Sequence, residues 1–354
     1  MTTTNLPLIA GIQQIGIGIP KVHEAWTWYR RAFWQDIPIF EEAATAALML
    51  PYTGNEPRDR HAVLAINANG GGGFEIWQYT SRVPQAPDFD IQIGDLGIFA
   101  AKIKSKNVQA TWDYHTSMGY KISNLRKDPE GNDTYFIADP YGNMFQLVQS
   151  HSWFADSKGT TGGCSGAIIG TTDIDKARTI YSDILGYDTV VYDKIDNFDD
   201  FDALKGGNHA FRRVLLRHSK PRSGPFSELL GSSEIELVQV QGRTPKFMFE
   251  NRFWGDLGFI HLCFDIRGMD EMRQLCESKG YKFTVDSANS FDMGEAAGHF
   301  SYIESHDGTL IEFVETHKIP ILKKFGWYLN LKDRNPAKTL PRLLLKALTL
   351  NRKI

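Results

Sequence analysis

One pattern occurs four times along the 354 residues, and it restricts the fold more than any single motif does. Each copy opens with a short apolar or alternating run that reads as a strand: Ile12–Ile19, Leu96–Ile103, Ala167–Thr172 and Phe259–Ile266. A stretch with helical period follows each run, over His23–Phe33, Val108–Met118, Asp175–Leu185 and Met269–Ser278. Three of these helices end on a Gly-Tyr pair, Gly119-Tyr120, Gly186-Tyr187 and Gly280-Tyr281, where glycine takes the left-handed position past the last turn. The first copy has Gln35-Asp36 there, so its cap is made differently. Each copy closes on a strand in which Glu or Gln stands between apolar residues: Phe74-Glu75-Ile76, Phe145-Gln146-Leu147, Ile235-Glu236-Leu237 and Ile311-Glu312-Phe313. Turns at Asp139-Pro140-Tyr141-Gly142-Asn143 and Ser305-His306-Asp307-Gly308-Thr309 lead into two of these strands. Four such units predict an α+β chain, not a doubly wound sheet.

Several function classes drop out. The net charge of −3 leaves no general basic field for nucleic acid. Cys164, Cys263 and Cys276 are an odd count without metal-finger spacing, which excludes a disulfide framework and a zinc finger. The N-terminus lacks the pattern of a signal peptide, and no run of about 18 apolar residues could cross a membrane. A soluble cytoplasmic protein is the expectation. The glycines Gly70–Gly73 precede a strand instead of linking a strand to a helix, so they read as a hairpin loop and not as a phosphate cradle.

The strand–helix–Gly-Tyr–strands unit, with its apolar-Glu-apolar closing strand, resembles the vicinal oxygen chelate superfamily over about residues 9–316. That superfamily includes glyoxalase I, methylmalonyl-CoA epimerase, fosfomycin-resistance proteins and extradiol ring-cleaving dioxygenases, and the four-unit layout resembles the two-domain dioxygenases. The resemblance implies four βαβββ modules paired into two open barrels. Residues 9–150 (modules one and two) would form a metal-free structural half, 160–316 (modules three and four) a metal-binding catalytic half, and 317–354 a basic C-terminal extension.

In this superfamily the ligands lie on the opening and closing strands of the paired modules. Carried onto this chain, the first half offers Gln14, Glu75, Gly97 and Gln146, a poor set for a divalent ion. The second half offers Gly166, Glu236, His261 and Glu312, of which Glu236, His261 and Glu312 are expected to bind Fe, Mn, Co, Ni or Zn. Gly166 would leave room for a bulky group beside the ion. Extradiol enzymes use a second histidine at the position of Gly166, and a further histidine upstream of the tyrosine, where Met293-Gly294-Glu295 stands here.

Glyoxalase and epimerase chemistry needs only a divalent ion to polarise a carbonyl and a carboxylate to move a proton on the adjacent carbon. Glu236 or Glu312 is the expected base, Tyr302 the donor to a developing oxyanion, and Glu304 shares a face with Tyr302, whereas His299 points the other way. Arg212 and Arg213 read as a solvated strand edge. The primary expectation is a glyoxalase-like lyase or isomerase acting on a small carbonyl compound. An Fe(II) extradiol-type dioxygenase and a non-catalytic small-molecule binder are the alternatives. The tail, with ten Lys or Arg and one Asp over 317–354, predicts a helix over Pro341–Leu350 that packs on its own domain or on a second subunit of a homodimer.

Overall fold

A computed structural model describes residues 6–288, 291–292, 297–322 and 326–353; Met293-Gly294-Glu295 lies outside them. Module one comprises β1 (Leu8–Gly18), α1 (Val22–Phe33), β2 (Ile37–Thr45), β3 (Asp59–Ile66) and β4 (Gly73–Tyr79). Module two comprises β5 (Gly97–Ser105), α2 (Val108–Ser117), β6 (Arg126–Lys127), β7 (Asp133–Ala138) and β8 (Met144–Gln149). Module three comprises β9 (Thr161–Gly170), α3 (Ile174–Arg178, continued by a π-turn to Ile184), β10 (Thr189–Asp196), β11 (Phe211–Arg217), a one-turn α4 (Ser227–Leu230) and β12 (Glu234–Val240). Module four comprises β13 (Gly258–Arg267), α5 (Met269–Ser278), β14 (Val285–Asp286), β15 (Phe291–Asp292), β16 (Ala297–Glu304) and β17 (Leu310–Leu322). The tail adds β18 (Trp327–Asn330) and α6 (Arg342–Lys346), which a 3-10 turn extends over Ala347–Asn351.

The caps follow the sequence. Gly119, Gly186 and Gly280 have φ of 70°, 72° and 86°, the left-handed conformation that glycine adopts without Cβ strain. After α1 the same turn is made by Trp34 with φ of 52°, a costlier residue there. Ala25, Tyr29, Ala32 and Phe33 bury one stripe of α1 in the main core.

The modules do not pair in chain order. One sheet runs β14-β16-β17-β13-β1-β4-β3-β2 and joins module four to module one; the other runs β10-β11-β12-β9-β5-β8-β7-β6 and joins module three to module two. The expected halves, 9–150 and 160–316, are therefore each split between two sheets. The seams are the antiparallel pairs β1 with β13 and β5 with β9. Glycine allows the backbones to close there: a Cβ on Gly18 would lie 1.9 Å from the Asp256 carbonyl oxygen, and one on Gly170 equally close to that of Asp95. The two segments that cross between sheets, 80–96 and 241–257, are tied to each other. Asp256 accepts from Arg82 and the Gln85 amide, and Asp95 accepts from Arg243 and the Lys246 amide, each within 3.0 Å. These buried carboxylates satisfy the turn amides and fix which modules meet.

The tail packs on its own chain. Leu340, Leu345 and Leu348 join Ile37, Ile66 and Leu229 in one apolar cluster, and Arg352 pairs with Asp36 at 3.0 Å. Its strand is continuous with module four, because β17 runs past 317 to Leu322 and pairs with β18. No helix among the described residues is long and apolar enough to cross a membrane.

Candidate metal centre

The register between the opening and closing strands of each module places the ligand positions. In the first sheet Glu75 pairs with Gly16 and Glu312 pairs with Cys263. Two residues earlier on the opening strands stand Gln14 and His261, which share a face with those partners. A β-bulge between Ile12 and Gln14 brings Gln13 and Gln14 both to the concave side. One opening and one closing residue from each of modules one and four thus converge.

His261 Nε2 lies 3.2 Å from Glu75 Oε2 and 3.2 Å from Glu312 Oε2, aligned with neither as a hydrogen bond. The Gln14 amide donates to Glu75 Oε2 at 3.1 Å, and a half-turn of that amide would present its oxygen instead. Gln14 Oε1, His261 Nε2 and Glu312 Oε2 are buried without a hydrogen-bond partner, an expensive state for three polar atoms at one point. Metal–ligand bonds of about 2.0–2.1 Å would set neighbouring donors about 2.9–3.4 Å apart, which matches the two separations at His261. The donor set and its geometry fit a divalent ion.

The electrostatics separate the two carboxylates. Burial raises Glu312 and the charge of Glu75 raises it further, so its proton is held more tightly than usual despite the opposing pull of His261. Glu75 is also buried, yet His261 and Arg60 hold it below the usual range. Burial disfavours the charged imidazole of His261, but Glu312 and Glu75 outweigh that and keep its affinity for a proton above normal. Tyr302 is fully enclosed; burial and both carboxylates keep its hydroxyl neutral, 3.5 Å from His261 Nδ1. Trp254 stacks along the His261 ring with 12° between planes. Gly16 makes the space for that ring, since a Cβ there would lie 2.5 Å from His261 Cε1.

Of the expected ligands, His261 and Glu312 meet; Glu236 does not join them. It lies in the other sheet, 2.6 Å from Arg213 and 2.8 Å from Lys102, and accepts from Tyr192. By the same register rule the positions in this second barrel are Ala100, Gln146, Gly166 and Glu236, so Ala100 replaces the expected Gly97. Two buried cations stand around its one carboxylate, and Asp200 completes the network with Arg213 at 2.6 Å. Arg213 is thus a buried structural residue and not a solvated edge, whereas Arg212 is paired with Asp175 and Asp193 nearer the surface. Gly166 leaves no room: a Cβ there would lie 2.1 Å from the Glu234 carbonyl oxygen. Glu304 is exposed at the end of β16, accepting from Tyr52 at 2.8 Å, and does not reach the ligand cluster. His299 turns to Asp286 at 2.5 Å.

Pairing the modules in chain order sets Gln14 and Glu75 with Gly97 and Gln146 and separates them from His261 and Glu312. Testing every pairing of the four motif positions would have isolated modules one and four as the combination with four donors. Among the described residues a second group, His23, Glu41 and His61, also brings potential donors within 4.8 Å, on the outer side of the same sheet where His23 and Glu41 are exposed.

No family model matches the sequence, and no curated protein sequence matches it either. Solved structures do. Glyoxalase I from Zea mays is 12% identical with a TM-score of 0.54, over 86% of this chain and 92% of that one. A proposed dioxygenase from Bacillus subtilis strain 168 is 14% identical with a TM-score of 0.56, over 87% and 86%. The chain has the vicinal oxygen chelate fold. Within that fold, this protein gathers the donors Glu75, His261 and Glu312, with Gln14 beside them, in the sheet of modules one and four and fills the sheet of modules two and three with an internal ion-pair network.

Proposed function

We propose that the protein is a metal-dependent lyase or isomerase of the glyoxalase type, acting on a carbonyl compound with a transferable proton on the neighbouring carbon. The observation that carries this reading is the convergence of Gln14, Glu75, His261 and Glu312, three of them with orphaned buried polar atoms, at the wall of a cavity of 460 Å³. A divalent ion there would supply Lewis-acid polarisation of the carbonyl and stabilise the enolate charge.

The chain's own groups divide the remaining work. Glu75, fixed by the Gln14 amide at 3.1 Å, is suited to remain a ligand. Glu312, in the cavity wall and directly opposite Tyr302 in the strand register, is suited to take and return the substrate proton. Tyr302, held neutral beside His261, is the donor that steadies the reacting oxygen. Trp77 and Trp254 line the cavity and exclude water from the proton being moved. Extradiol chemistry would call for a second imidazole, and Gln14 occupies the corresponding opening-strand position.

Solvent deuterium exchange at the carbon next to the carbonyl, followed by NMR on a panel of 2-oxo aldehydes, thiohemiacetals and acyl thioesters, tests the reading. Exchange that depends on added divalent metal and falls at least about 100-fold in Glu312→Gln supports it. Exchange unaffected by Glu312→Gln, or absent from the whole panel with metal bound, counts against it.

A further inference from the structure

We infer that the body of the substrate is bulky, apolar and uncharged, and that the C-terminal tail forms the far wall of its binding cavity; the identity of the reacting group rests on the glyoxalase-type reading above. Two apolar clusters line one cavity. Around the ligand residues stand Phe40, Trp77, Trp254 and Tyr302, and beyond them Leu229, Ile319 and Leu348 belong to the cluster built with the tail. At about 30 Å³ per heavy atom, the 460 Å³ between them holds about fifteen heavy atoms. A small carbonyl compound would leave most of that apolar surface wet, while a chain or ring system of this size covers it.

Charge narrows the class further. Arg60 is the only cation among the described lining residues, and its guanidinium is engaged by the Glu42 carboxylate at 2.7 Å. Three carboxylates, Glu42, Glu75 and Glu312, face the same space. A phosphate-bearing or polycarboxylate conjugate would lose its hydration against apolar walls with no free cationic side chain to receive it. The tail is firmly placed as a wall: the Leu340 amide donates to the Pro225 carbonyl at 2.9 Å, the Lys353 amide to the Asp36 carbonyl at 2.8 Å, and Leu348 and Asn351 reach the cavity between these anchors.

Two fluorescent probes with the same aromatic body test this on metal-stripped protein: N-phenyl-1-naphthylamine, which is neutral, and its sulfonate, 8-anilinonaphthalene-1-sulfonate. The neutral probe is expected to bind one per chain at least about tenfold tighter than the sulfonate, and to lose at least about tenfold in Leu348→Arg and in Leu64→Trp. The second variant fills the cavity from β3 and leaves the tail intact, so a tail that fails to fold does not decide the result. Equal affinity for both probes, or neutral-probe binding unchanged in both variants, overturns the inference. Because no metal is present, failure here is distinguishable from failure of the metal-dependent chemistry, which the exchange assay reads separately on short carbonyl compounds.

Discussion

Replacing Glu236 by glutamine separates a structural carboxylate from a metal ligand. The side chain is fully buried between Lys102 and Arg213, and although burial alone would raise its pKa, Arg213 and Lys102 pull it from 4.5 down to about 2. That difference is worth about 3 kcal/mol to the folded state at neutral pH. Glutamine keeps the volume but removes the charge, and its amide group turns a donor toward an ammonium or guanidinium. Lys102 retains Glu234 at 2.8 Å and Arg213 retains Asp200, so the loss falls at about 3 kcal/mol, the lower end of the 3–5 kcal/mol typical when one partner of a buried ion pair is removed. Because the folded pKa is depressed, the stabilisation is present above pH 4.5 and is lost as the pH falls towards about 2. Urea denaturation of both proteins from pH 7 down to pH 3 should therefore show a gap of about 3 kcal/mol that narrows below pH 4.5. Metal content should be unchanged. A gap below about 1 kcal/mol at pH 7, or loss of bound metal in the variant, would refute the assignment.

Asp265 should behave in the opposite sense: burial lifts its pKa to about 7, so the folded state holds a proton that the unfolded chain releases, and stability falls as pH rises from about 4 to 7. Asp265→Asn should flatten that slope, which is worth at most about 4 kcal/mol, in thermal melts across this range; an unchanged slope would show that Asp265 is not its source. Gly16→Ala forces a methyl group to 2.5 Å from the His261 ring and should weaken metal binding by about 10–100-fold in calorimetric titration while leaving the second sheet intact. Unaltered affinity in that variant would mean that His261 does not need the position it occupies.

The fold was legible because each module carries its own punctuation. Gly119, Gly186 and Gly280 mark helix ends, and Glu75, Gln146, Glu236 and Glu312 mark closing strands. These signals are local and are read without any alignment. Which modules meet is a different kind of information, since it is written in close backbone approaches at Gly18 and Gly170 and in the turns held by Asp95 and Asp256. None of those residues has a recognisable spacing, and so chain order was the natural and incorrect guide. That one error moved Glu236 into the ligand set and left Gln14 and Glu75 out. His261 and Glu312 survived it because they belong to the same module. Glu304 illustrates a second limit: alternation assigns the face of a strand correctly but not how far along it the cavity extends.

The account stands on one cluster of donors, and metal stoichiometry measured by mass spectrometry tests it most directly. The wild type, Glu236→Gln, His261→Ala, Glu75→Gln and His61→Ala should be compared after loading with a divalent transition metal and dialysis. We predict about one equivalent in the wild type, in Glu236→Gln and in His61→Ala, and loss of that equivalent in His261→Ala and Glu75→Gln. Metal that leaves with Glu236 but persists without Glu75, or a folded wild type that retains none, would contradict the placement of the centre between modules one and four.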